Sequence, residues 1–157
     1  MLSGRGSLTA VQSETQKATV LTMYKNQTSS TAVRETTAAF TIDMQPAAPD
    51  LEMTDRNDFT KLWTGGMSGA SSGLMLSAGD PARGKAGYVA LERFDGTIDG
   101  LRGTVVLQQY GSMNDGVTLY YEFVPGSGTD GLTGITGTIA LTVTEGDHRV
   151  HVHYALN

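Results

Sequence analysis

Short runs in which apolar and polar residues alternate recur from residue 37 to the end of the chain, with turn-forming dipeptides between them. This period of two is typical of β-strands, because successive side chains point to opposite faces of a sheet. No long helical pattern interrupts the series. The pattern predicts eight strands, namely Ala38–Met44, Phe59–Met67, Ser71–Ser77, Ala86–Phe94, Gly103–Gln109, Val117–Val124, Gly137–Thr144 and His148–Leu156.

Eight short strands in a chain of this length predict an all-β fold, an eight-stranded antiparallel up-and-down barrel. Closing the sheet on itself removes the exposed edges that an open sheet would leave. A β-sandwich is the main alternative. We assign residues 36–157 to the barrel domain. Residues 1–35, rich in Thr, Ser, Gln and Ala, are interpreted as an N-terminal extension of undetermined order.

The segment Val124–Gly137 contains five glycines among fourteen residues, a composition that also occurs in phosphate-binding loops. No Gly-Lys-Ser/Thr follows it, and no helix is predicted behind it to supply a dipole for an anion. Ser127 within it lacks the surroundings of a nucleophile elbow. We therefore interpret the segment as a tight corner that leads into a closely packed strand.

Alternation places Tyr88, Ala90 and Glu92 on one face of the fourth predicted strand, as in a cavity wall with a polar anchor. Burial raises the pKa of a carboxyl group, so Glu92 is the predicted catalytic acid or base, with the Tyr88 hydroxyl beside it. Residues expected to line the ligand pocket are Trp63, Met75, Gln109, Tyr121 and Tyr154. The structural alternative is that Glu92 is a hydrogen-bonded interior carboxylate and that the aromatic and Met side chains fill the barrel.

The three histidines lie together on the last predicted strand. His151 and His153 share a face, and this spacing can chelate a metal ion, but only Asp147 offers a third ligand close in sequence. We favour an exposed polar face and predict no metal site and no cofactor. His148 shares the opposite face with the apolar residues and is expected at the mouth of the barrel or in a turn contact, with proton transfer as the alternative.

The chain has a net charge of −5, and residues 36–157 hold fourteen acids against seven bases. An acidic body repels nucleic acids and anionic membranes, so neither is expected as a partner. No run of about 18 apolar residues is present, which argues against a transmembrane helix. The first residues do not resemble a secretory signal, and the absence of cysteine fits a reducing compartment, so we predict a cytoplasmic location.

Six segments taken in order carry a family resemblance: Ala86–Phe94, Asp95–Gly100, Gly103–Gln109, Val124–Thr129, Gly131–Gly137 and His148–Tyr154. They resemble a bacterial family of unknown function whose members are similar to allene oxide cyclase barrels. The resemblance implies an eight-stranded, allene-oxide-cyclase-like barrel with a ligand-sized lumen, apolar substrates, and no redox cofactor or metal. The chain departs from that family at Gln109, where a histidine is usual.

Three hypotheses of function follow from these patterns and from the resemblance, which supplies the isomerase or cyclase chemistry. In the first, the lumen binds a small, mainly apolar molecule and acts as a cofactor-free isomerase or cyclase, as in allene oxide or spirotetronate cyclases. In the second, the same pocket belongs to a non-catalytic carrier or sensor. In the third, a packed barrel acts as an oligomerisation module through its outer strand faces, forming a homodimer or larger homo-oligomer.

Overall fold

The computed structural model describes residues 31–157, which contain a closed antiparallel barrel. Its eight strands are β1 (Arg34–Ala47), β2 (Asp55–Gly65), β3 (Met67–Asp80), β4 (Lys85–Ile98), β5 (Leu101–Asn114), β6 (Val117–Phe123), β7 (Ile135–Thr144) and β8 (Asp147–Leu156). Each strand pairs with the next in sequence, and β8 pairs with β1 to close the barrel. The predicted fold class is confirmed, and the sandwich alternative is wrong.

Most strands extend beyond their predicted bounds, and two of the differences reassign residues. The predicted second strand ran from Phe59 to Met67, but β2 ends at Gly65 and β3 begins at Met67. Gly65 turns the chain with a φ of +98°, a conformation that side chains other than glycine rarely adopt. β1 begins at Arg34, inside the segment assigned to the extension. Residues 1–30 of that predicted extension lie outside the described residues.

Inward-facing side chains form a buried apolar core at one end of the barrel. We call this the closed end; it carries the turn between β4 and β5 and the glycine-rich connection from β6 to β7. Six of its side chains have no exposed surface, namely Met67, Phe94, Ile98, Leu107, Leu132 and Ile135. Leu132 comes from a single 3₁₀ turn, Asp130–Leu132, within the connection. The opposite end, which carries the β3–β4 and β5–β6 connections, is the mouth.

The glycine-rich connection is the predicted corner. Its backbone continues the sheet beside β5, because the Val124 and Thr129 N–H groups donate to the Val106 and Thr104 carbonyls, both at 2.9 Å. The Ser127 hydroxyl is also structural, since it accepts from the Val106 N–H at 3.0 Å. At Gly137, where φ is +142°, a Cβ would collide with the backbone of β8. This close crossing confirms the interpretation of the segment as a packed corner.

Replacing Leu132 by Ala should lower the free energy of unfolding by about 2–5 kcal/mol, because the closed end cannot collapse around the lost volume. Leu62→Ala is the matched control, since Leu62 is 65% exposed on the outer face of β2. It should change stability by less than about 0.5 kcal/mol. Urea unfolding followed by tryptophan fluorescence measures both. Equal losses for the two variants would contradict the assignment of Leu132 to the core.

Candidate functional site

A group of buried polar side chains crosses the middle of the lumen, above the closed end. Lys61 lies on β2 between the inward-facing Phe59 and Trp63, so alternation along the strand points its side chain inward. Glu92 faces it from β4, and both side chains are 2% exposed. We call the set Lys61, Trp63, Ser71, Glu92 and Tyr121 the polar cluster.

Both carboxylate oxygens of Glu92 are occupied by donors from other strands. Lys61 Nζ donates to Oε2 at 2.7 Å, and the Tyr121 hydroxyl donates to the same oxygen at 3.2 Å. Ser71 Oγ donates to Oε1 at 2.5 Å and accepts from Trp63 Nε1 at 2.9 Å. The carboxylate is therefore held by three hydrogen bonds, one of which is an ion pair.

Aromatic rings enclose the Lys61 ammonium on its remaining sides. Its Nζ lies 4.3 Å from the ring centre of Phe40, and 5.2–5.3 Å from those of Phe59, Trp63 and Tyr121. Contacts of this kind replace part of the hydration that the ammonium loses on burial. Burial nevertheless lowers the pKa of Lys61, while the charge of Glu92 opposes that shift. Burial, with a smaller contribution from Glu92, raises the pKa of Tyr121 well above its usual value.

A cavity of about 250 Å³, which we call the mouth pocket, opens between β3, β4, β5 and β6. Its inward-facing lining includes Met75, Ser77, Tyr88, Met113, Val117 and Leu119. Tyr88 lies opposite Gly111 across the β4–β5 pair, where a Cβ would collide with the Tyr88 ring. Glycine at this position therefore leaves room for the ring against the barrel wall.

Gln109 connects the mouth pocket to the polar cluster. The Tyr88 hydroxyl donates to Gln109 Oε1 at 2.9 Å, and Gln109 lies directly opposite Tyr121 in the β5–β6 register. Because Tyr121 donates to Glu92, Gln109 lies between the pocket and the buried ion pair. Burial raises the pKa of Tyr88, so its hydroxyl keeps its proton at neutral pH and acts as the donor to Gln109.

The structure brings together six of the seven residues predicted for the site. Met75 and Tyr88 line the mouth pocket, Gln109 is the link, and Glu92, Trp63 and Tyr121 belong to the polar cluster.

The structure places Tyr154, the seventh predicted site residue, away from the mouth pocket. Tyr154 is buried with the core of the closed end, where its hydroxyl donates to Asp99 Oδ2 at 2.6 Å. Alternation assigns its face correctly but does not give its height along the barrel axis. Lys61 is the residue that the sequence reasoning missed, although the alternation Phe59–Lys61–Trp63 would have placed it inside the barrel.

Three larger hollows lie on the surface of the barrel. One, of about 570 Å³, is bordered by charged residues that include Asp43, Arg56 and Arg93. A second, of about 510 Å³, lies beside β1 and the β7–β8 turn. The third, of about 480 Å³, is mainly apolar and contains Leu91 and the stacked rings of Tyr110 and Tyr120, whose centres are 5.0 Å apart. Exposed apolar surface of this kind occurs at protein interfaces. The expected homo-oligomer stays a prediction.

Among residues 31–157, one group of side chains has the composition of a metal site. It consists of Glu35, His151 and His153 on the outer surface. It is separate from the polar cluster, since its members point away from the lumen. Within the same part of the chain, no helix is long and apolar enough to cross a membrane. The cytoplasmic location stays a prediction.

Comparison with known proteins identifies the family. A family described as proteins of unknown function, DUF3224, matches residues 36–154. This chain belongs to the DUF3224 family. A crystal structure of a DUF3224 protein of unknown function from Shewanella oneidensis MR-1 is similar, with 32% sequence identity and a TM-score of 0.75. The match covers 80% of this chain and 99% of that one.

No curated protein matches the chain. The predicted membership of a family of unknown function is confirmed. The similar fold of the Shewanella protein agrees with the predicted barrel. The further relationship to allene oxide cyclases stays a prediction.

Replacing Lys61 by Met should destabilise the DUF3224 barrel by about 3–5 kcal/mol, because Glu92 would keep a buried charge without its partner. The double variant Lys61→Met/Glu92→Leu should recover most of that loss, since it removes both charges. Urea unfolding of the single and double variants measures the coupling between the two positions.

Lys85→Met is the matched control, because Lys85 pairs with Asp115 on the surface, where the two side chains are 53% and 76% exposed. Losing an exposed pair should cost at most about 1 kcal/mol. A double variant as unstable as Lys61→Met alone would show that the ion pair is not the source of the effect.

Proposed function

We propose that this DUF3224 protein is a non-catalytic carrier or sensor, which binds a compact, mainly apolar molecule in the mouth pocket. The observation that supports this proposal is the combination of an apolar cavity with one anchored phenol, Tyr88, in its wall. Ligand sites commonly pair an apolar lining with a few fixed polar groups that orient the ligand.

The size of the pocket limits the ligand. At about 250 Å³ the cavity lies below the range of roughly 300–1,000 Å³ typical of drug-sized ligands. It equals the volume of about eight water molecules at roughly 30 Å³ each. A single ring or a short branched chain fits this space, whereas a large polyketide does not. Met75 and Met113 give the wall some freedom to adapt, since methionine is unbranched and flexible.

The anchor favours a ligand with a hydrogen-bond donor. Tyr88 uses its own proton on Gln109, at 2.9 Å, and burial raises its pKa. The phenol oxygen then offers lone pairs to the cavity. A hydroxyl or N–H on an otherwise apolar ligand would donate to this oxygen without breaking the bond between Tyr88 and Gln109.

The binding hypothesis requires no catalytic group in the mouth pocket, whereas the cyclase hypothesis requires one. Glu92, the predicted acid or base, accepts from Lys61, Ser71 and Tyr121, and it belongs to the polar cluster rather than to the pocket lining. A cyclisation in the mouth pocket would depend on the Tyr88 hydroxyl for polarisation. Isomerase or cyclase activity stays a prediction, motivated by the family resemblance and by the predicted inward face of Tyr88 and Glu92.

Benzyl alcohol and toluene are matched probes of this proposal, because they differ by one hydroxymethyl group. In NMR titrations of the full chain, benzyl alcohol should shift the amide signals of Met75, Tyr88 and Leu119 and should bind more tightly than toluene. Tyr88→Phe should weaken benzyl alcohol binding by roughly two- to tenfold, as expected for one hydrogen bond of about 0.5–1.5 kcal/mol. The same variant should leave toluene binding unchanged.

Leu119→Trp should abolish binding of both probes, because it places a large ring in the pocket. Leu62→Trp is the control on the exposed outer face and should bind both probes like the wild type. The proposal fails if millimolar benzyl alcohol leaves the mouth-pocket signals unmoved, or if Leu119→Trp binds it as well as the wild type does.

A further inference from the structure

Two histidines and a glutamate meet on the outer surface where β8 closes the barrel against β1. His151 and His153 occupy alternate positions of β8, so their rings lie on the same face, with centres 4.4 Å apart. Glu35 lies directly opposite His153 in the β1–β8 register. Its Oε2 is 3.4 Å from His151 Nε2, and its Oε1 is 3.3 Å from His153 Nδ1.

Each separation is close to the spacing of two ligand atoms on one metal ion, and the two contacts use different oxygens of Glu35. Charge-assisted hydrogen bonds between nitrogen and a carboxylate oxygen measure about 2.7–2.9 Å, shorter than either contact here. Ligand atoms bound to one tetrahedral Zn²⁺ at about 2.0–2.1 Å lie about 3.3–3.4 Å apart. One ligand atom from each of the three residues can be chosen so that all lie within 4.8 Å of one another. Modest side-chain rotations therefore bring them around a common point.

We propose that Glu35, His151 and His153 form a binding site for a divalent transition-metal ion of the Zn²⁺ type. Imidazole nitrogens with one carboxylate suit Zn²⁺ and its neighbours in the first transition row, whereas Mg²⁺ prefers oxygen ligands. Three protein ligands leave one tetrahedral position for water or for a ligand from solution. The side chains of Glu35, His151 and His153 are 60%, 47% and 41% exposed, so this position is open to solvent.

The strands fix the site without help from loops. All three residues lie within hydrogen-bonded stretches of β1 and β8, so their backbones are held in place before any metal binds. The site faces outward and does not share a residue with the mouth pocket. Its occupancy is therefore independent of the proposed carrier function, and either proposal can fail alone.

The chain contains three histidines and no cysteine, which makes the site easy to test. The third histidine, His148, points into the lumen and stacks on Phe40 with ring centres 4.8 Å apart. Zn²⁺ binding through two histidines at this surface must therefore use His151 and His153.

Isothermal titration of the metal-free full chain with ZnCl₂ tests the proposal, with MgCl₂ as the hard-cation comparison. We expect one Zn²⁺ per chain and no Mg²⁺ binding. Loss of a group that only supports a metal ligand costs about 10–100-fold in affinity, so loss of a ligand should cost at least tenfold. His151→Gln, His153→Gln and Glu35→Gln should each show that loss. Substituting Co²⁺ should give the intense visible absorption of a tetrahedral site.

Asp147→Asn is the matched control for Glu35→Gln, because each removes one exposed carboxylate near the histidines. Asp147 pairs with Arg149 and should leave Zn²⁺ affinity unchanged. Circular dichroism confirms that each variant keeps the barrel. The proposal is overturned if the wild type binds no Zn²⁺, or if Glu35→Gln binds it as tightly as Asp147→Asn does.

Discussion

The ion pair between Lys61 and Glu92 is the interaction on which the rest of the barrel depends. Removing each charge from water costs several kcal/mol, so the pair is tolerated only when every partner is correctly placed. Those partners come from β2, β3, β4 and β6. A shift of one residue in any of these strands would turn an inward side chain outward and leave a buried charge unpaired. The cluster therefore helps to specify one register among several that the apolar pattern alone would allow.

The same pair divides the lumen into two unlike regions. Below it, Phe94, Leu107 and Leu132 pack into the core without exposed surface. Above it, the mouth retains a cavity of about 250 Å³ whose wall includes Tyr88. The lumen is thus neither an empty ligand chamber nor a fully packed core. The hydrogen-bonded polar cluster forms the lower boundary of the mouth region. The ligand binding that we propose is confined to the space between this cluster and the mouth.

The strand series and the inward face of Tyr88, Ala90 and Glu92 were predictable from the sequence, because both follow from a period of two. The barrel was predicted from the number of strands and the need to remove exposed edges, but which residues meet across its closure was not. The position of a side chain along the barrel axis was not predictable from the sequence, because it depends on the stagger between strands. For this reason Tyr154 was placed in the pocket although it lies at the closed end. Lys61 was not predicted to lie inside the barrel, because charged residues are rarely buried and its partner, Glu92, lies 31 positions away in the chain.

The cluster of Glu35, His151 and His153 illustrates the same limit. The spacing of the two histidines was visible, but Asp147 was the only acid close to them in sequence. Glu35 reaches them only because β8 pairs with β1. Contacts across the closure of a barrel join the two ends of a domain, and local patterns contain no information about them.

Diffraction from crystals held under xenon pressure tests the division of the lumen most directly, because xenon enters apolar cavities that have room for it. We predict a xenon site in the mouth pocket beside Met75 and Leu119, and none between the polar cluster and the closed end. Xenon bound below Lys61 and Glu92, or a mouth pocket without xenon, would contradict this division.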